Sequence, residues 1–193
     1  MRLTWMLGMV LTVATNAVAA DSLVLRVYLQ DSVNVDLRTL TEAEWVTSRI
    51  FATAGIRVEW KVGDPHRNET AAIRIQLDTK AESGLHTDTA GYAQPFARGT
   101  AIHVFCDRVL HTGPERLGPI LLGHVMAHEL GHVLEGVDRH SPTGIMKAHW
   151  TRDDYDDMLQ HPLAFAPDDV RMIRDHWNPA LAGTPRADAR PRP

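Results

Sequence analysis

The chain of 193 residues is 44% hydrophobic and 23% charged, with 13 Gly, 11 Pro and one Cys. That composition excludes collagen-like, coiled-coil, disulfide-framework and wholly disordered classes, and the length is enough to bury a core in one domain. Lys and Arg number 20 against 24 Asp and Glu, so the net charge is -4, the wrong sign for a protein that grips nucleic acid through its phosphates.

Residues 1–20 read as an export signal. Arg2 supplies the positive start, and the apolar run from Leu3 to Val13 is shorter than the roughly 20 residues of a spanning helix. Ala17-Val18-Ala19 offers a small-x-small cleavage site. The expectation is an exported protein, periplasmic or secreted, with no stable membrane insertion once the signal is removed and a single domain over residues 21–177. Cys106 follows the β-prone run Ala101–Phe105 and reads as a small buried side chain, not as a nucleophile.

Leu23–Leu29, rich in branched and aromatic residues, opens the domain as a strand. Thr41 with Glu44 makes a capping box, predicting a helix through Ala54 with Trp45, Ile50 and Phe51 at near-helical spacing and Gly55 as its stop. Ile56–Trp60 and Ala72–Leu77 alternate as half-buried strands, separated by a turn-rich connection over 64–68. The polar stretch from Asp78 to Gly99 is a long excursion with at most a short edge strand at Gly91, Tyr92 and Ala93. Thr100–Phe105 is a further strand. A helix runs from about Pro119 to a cap at Gly136, and another from Pro167 to Trp177. Residues 178–193 lack periodicity and read as a disordered tail.

The helix before Gly136 carries His128-Glu129-Leu130-Gly131-His132, an HExxH pattern. Positions four apart share a helix face, so His128 and His132 can bind one Zn²⁺ together, with Glu129 beside the metal to take a proton from a water the metal activates. A catalytic zinc usually has three protein ligands and an open position. No Glu follows Glu135, which removes the thermolysin-like arrangement with a glutamate on a later helix. Asp138 and His140, just past the turn that Gly136 permits, remain as candidates.

This segment resembles the metzincin-type zinc metalloproteases, whose motif HExxHxxGxxH is followed by a Met-turn. The match is irregular: Gly136 arrives one residue late and His140 two residues late. The family position of the third ligand falls on Asp138, as in snapalysin-like enzymes that use aspartate. His140 is preferred, because the displaced glycine shifts the chain exit and His140 begins the segment that leads to Met146, the candidate Met-turn residue. The resemblance implies an α+β, zincin-like fold: a small mixed twisted sheet of four to five strands, a backing helix, the active-site helix and a C-terminal helix. It also implies that Gly91, Tyr92 and Ala93 form an edge strand along which an extended substrate peptide pairs.

The remaining candidates carry less chemistry. His124 shares a helix face with His128 and reads as a partly exposed helix residue in preference to a support for the ligand. His149 and Tyr155 are further candidates for the cleft. The run Asp153-Asp154-Tyr155-Asp156-Asp157 lacks the spaced oxygen ligands of a calcium loop and reads as a solvated loop or helix start. Together these readings predict a monomeric exported metalloendopeptidase with one catalytic Zn²⁺, acting on a peptide or protein and not on nucleic acid. A non-catalytic zinc-binding interaction domain and a zinc hydrolase of a non-protein amide are the rival readings.

Overall fold

Period-two alternation along the strands gives one apolar face, and that face organises the molecule. The computed structural model describes residues 23–65, 72–80, 90–96 and 99–176. It contains the strands β1 (Leu23–Asp31), β2 (Ile56–Val62), β3 (Ala72–Asp78), β4 (Gly91–Phe96) and β5 (Gly99–Phe105) in a single sheet of order β2-β1-β3-β5-β4. Four strands run parallel, and β4 lies antiparallel to β5 at the edge. The register sets Leu25 beside Val58, Leu29 beside Ile75 and Ile75 beside Ile102, so the apolar residues of neighbouring strands share one side. The other side is polar, with Arg57 and Glu59 of β2 paired at 2.8 Å.

Five helices complete the fold: α1 (Leu37–Thr53), α2 (Cys106–Val109), α3 (Leu117–Glu135), α4 (Arg152–Met158) and α5 (Pro167–His176). The longest two, α1 and α3, pack on each other and on the apolar face of the sheet. Ile50, Phe51, Leu122, Met126 and Leu130 are fully buried between the layers, each such side chain contributing about 1.5–3 kcal/mol of burial. The sheet of five strands, mixed in direction and backed by helices on one face, is the expected α+β architecture. Among the described residues no helix is long and apolar enough to cross a membrane. The expected signal over 1–20 and the tail over 178–193 lie outside the described residues, as do parts of the 64–68 connection and of the Asp78–Gly99 excursion.

Two local expectations are corrected. The start of α1 is five residues earlier than the Thr41 cap implies: Asp36 is the N-cap, its carboxylate accepting the Thr39 N–H at 3.0 Å. Thr41 instead lies inside the helix, where its hydroxyl donates to the Leu37 carbonyl at 2.8 Å. Trp45 does not face the core. It is 56% exposed, with the Arg49 guanidinium 5.9 Å over its ring, while Ala43, Val46, Thr47, Ile50 and Phe51 form the buried stripe. The acidic run 153–157 is a helix start, one of its two expected readings: it opens α4, where Asp154 closes a capping box with Thr151 and pairs with Lys147 at 2.5 Å.

Candidate active site

Helix α3 carries the pattern inward because almost its whole circumference is covered. Leu121, Leu122, Val125, Met126, Leu130 and Leu134 are all buried. On this helix His128 and His132 stand one turn apart with their Nε2 atoms 3.0 Å from each other. His140 arrives from the segment that follows Gly136, whose φ of +69° turns the chain out of the helix in a conformation that side chains other than glycine resist. Its ring centroid lies 5.4 Å from that of His128 and 4.9 Å from that of His132. One nitrogen from each of the three imidazoles falls in a group within 4.8 Å.

The donor set fits a zinc ion. His128 Nδ1 lies 2.9 Å from the Ile145 carbonyl oxygen, which can only accept, so this nitrogen carries the proton and Nε2 presents a lone pair. Burial, opposed by that hydrogen bond, holds the His128 pKa down to about 4, which keeps the ring neutral and able to ligate. Two ring nitrogens bound tetrahedrally at about 2.0–2.1 Å would stand about 3.3 Å apart, close to the spacing of the His128 and His132 pair. The carbonyl that orients His128 is itself fixed, since the Ile145 N–H donates to Ala164 O at 2.9 Å and Ser141 N–H donates to Met146 O at 2.7 Å across the loop.

Glu129 projects into the same cleft, an open cavity of about 1160 Å³. Burial and then the nearby Asp138 push its pKa up to about 7, the range in which a carboxyl group can both take and return a proton. Gly91, the first residue of β4, leaves room for it. A methyl group there would stand 3.0 Å from Glu129 Cγ and 2.8 Å from the His103 carbonyl oxygen. On the far side of α3, a methyl on Gly131 would come within 2.5 Å of Met146 Sδ and 3.1 Å of Phe165 Cε1. Met146 therefore packs directly beneath the histidine-bearing turn and is fully buried.

Of the residues singled out in the sequence, His128, Glu129, His132, His140, Asp138, Gly91, Tyr92, Ala93, His149 and Tyr155 all line this one cleft. Asp138 lines it without joining the three-nitrogen group. The Tyr155 phenol is held above its usual pKa by burial and then by Asp154, so it stays protonated and can donate. His124 differs from expectation: it is fully buried. Its Nδ1 lies 2.8 Å from Ile120 O and its Nε2 accepts the Leu163 N–H at 3.1 Å. Burial lowers its pKa to about 4. Cys106 is buried and free, its thiol pushed up to about 12 by burial and by Asp31, Asp78 and Asp107, as expected of an inert side chain.

Sequence reasoning overlooked Ile145, whose contribution is a backbone carbonyl and so leaves no trace in residue type. It also overlooked Trp150, which stands edge-on to His128 at 5.7 Å and to His124 at 6.2 Å. The small size of Gly131 was a legible signal, since a glycine inside a helix often marks a close approach.

No family profile and no curated protein matches the sequence. Among solved structures, archaemetzincin from Methanopyrus kandleri superposes with a TM-score of 0.51 at 14% identity, over 82% of this chain and 98% of that one. At that identity the likeness speaks for the fold, and the chain therefore has the zincin-like fold of archaemetzincin, with a His128, His132 and His140 cluster able to bind a metal.

Proposed function

We propose that the protein is an exported, monomeric zinc metallopeptidase in which His128, His132 and His140 hold one Zn²⁺ and Glu129 is the general base and acid. The observation that carries this reading is the convergence of three imidazole nitrogens within 4.8 Å in the cleft that also holds the half-buried Glu129. When bound, zinc supplies Lewis-acid polarisation of a carbonyl and activation of water for attack on it. Glu129 accepts the proton of the attacking water and returns it to the leaving amine. Met146, packed against Gly131, acts as the Met-turn residue that supports the ligand platform. A substrate peptide extends along β4, the sheet edge, and Gly91 brings that strand against Glu129. His149 and Tyr155 stand in the cleft where they meet the substrate.

The test is zinc stoichiometry on the purified protein, paired with cleavage of an unstructured protein before and after chelation. One zinc with chelator-sensitive cleavage is expected. Glu129→Ala should keep the metal and lose turnover by a factor of about 10²–10⁴, whereas His128→Ala should lose both. Retained peptidase activity in Glu129→Ala would sink the assignment of the base. One zinc without peptide cleavage would favour a hydrolase of a non-protein amide or a binding domain.

A further inference from the structure

Asp138 and His140 straddle Arg139, and both line the cleft. The side chains between and beyond them go the opposite way. Arg139 donates from Nη2 to Asp169 Oδ1 at 2.7 Å and from Nη1 to Ser141 Oγ at 3.0 Å. The Ser141 hydroxyl donates to the same Asp169 oxygen. Asp169, fully buried on α5, has its other oxygen occupied by the Ala166 N–H at 3.0 Å. Arg139 Nε lies 3.4 Å from Glu135 Oε2, at the end of α3. One carboxylate thus seizes the residues immediately before and after His140.

We propose that Asp169, Arg139 and Ser141 form a positioning clamp that selects His140 over Asp138 as the third metal ligand. The inference rests on the zinc reading above. With positions 139 and 141 tied to one buried anchor, the residue between them is directed away from it, towards the nitrogens of His128 and His132. Asp138, before the clamp, is exposed in the cleft and stays outside the ligand group. The charge-assisted hydrogen bonds from Arg139 give the clamp its strength. Groups that orient a ligand in this way typically govern metal affinity by about 10- to 100-fold. The clamp also accounts for the irregular spacing of the motif. The chain takes two extra residues to reach the metal because the intervening side chain is committed to α5.

The experiment measures zinc affinity by competition with a chromogenic chelator in wild type, Arg139→Met, His140→Ala and the double variant. Arg139→Met is expected to lose about 10- to 100-fold, and to cost nothing further once His140 is alanine, because coupled residues are non-additive. The visible absorption of the Co²⁺-loaded protein, which reports the ligand set, should change in Arg139→Met as it changes in His140→Ala. Arg139→Lys keeps a charge for Asp169 without the branch to Ser141 and should recover part of the affinity, while Asp138→Ala should stay near wild type. Ser141→Ala removes one hydroxyl, should give a smaller loss in the same direction, and carries the test if circular dichroism shows that Arg139→Met does not fold. Unchanged affinity in the clamp variants, or equal losses with and without His140, would overturn the clamp and leave the zinc reading standing. A wild-type protein that binds no zinc would overturn the proposed function and the clamp with it.

Discussion

His124 and His128 lie one helical turn apart on the same helix and are both held neutral by burial, yet their chemistry diverges through their second nitrogen. In His124 both ring nitrogens are committed, one to Ile120 O and one to the Leu163 N–H. In His128 only Nδ1 is committed, and Nε2 faces His132. The structural histidine therefore has a stability signature of its own. Its folded pKa of about 4 lies below the ordinary value of 6.5, so its contribution is complete above pH 6.5 and is lost as pH falls towards 4. Between pH 7 and pH 5 the wild type should lose about 2 kcal/mol relative to His124→Gln. Urea unfolding of the metal-free proteins at the two pH values checks this, and parallel stabilities would refute it.

Helix ends make the contrast at the next scale. Asp36 caps α1 through Thr39, on an element that contributes no side chain to the cleft lining. Asp36→Ala should lower Tm by a few degrees and leave zinc affinity unchanged. Gly136 ends α3 immediately before the segment that delivers His140, with a positive φ and with its α-carbon packed on the His176 ring, so that an added methyl would overlap that ring. Gly136→Ala should cost about 1–2 kcal/mol from the left-handed conformation alone, and also weaken zinc binding because the ligand segment leaves the helix at a different angle. Thermal melts and chelator competition on the two variants separate an end that only holds its helix from one that also aims a ligand.

Across the whole molecule, the cleft joins parts of the chain that are remote in sequence: the start of β4 at Gly91, the middle of α3, and the loop from Lys147 to Trp150. Zinc that binds only this assembled arrangement stabilises it by mass action, about 2.7 kcal/mol when free metal is one hundred times Kd. For a chain of this size that corresponds to roughly 5–10 °C in Tm. Thermal denaturation with added zinc and with chelator should show a shift of this size in wild type and none in the double variant His128→Ala/His132→Ala. A shift that persists in the double variant would place the metal elsewhere.

The sequence by itself determined what rests on periodicity within one element. Alternating apolar residues built the strands, and the 3.6-residue helical repeat placed His128 and His132 on one face with Glu129 between them in sequence. The glycine that ends α3 was legible for the same local reason. What only the tertiary structure decided involves partners outside the element. The start of α1 was hidden because Leu37 is 78% exposed and so carries no core pattern. The burial of His124 depends on Leu163, the orientation of His128 on the Ile145 carbonyl, and the room for Glu129 on Gly91. The sequence favoured His140 over Asp138 from the displaced Gly136, and His140 does join His128 and His132 while Asp138 stays outside their group; the carboxylate that holds both neighbours of His140 left no local signal, because it belongs to α5, about thirty residues further along the chain.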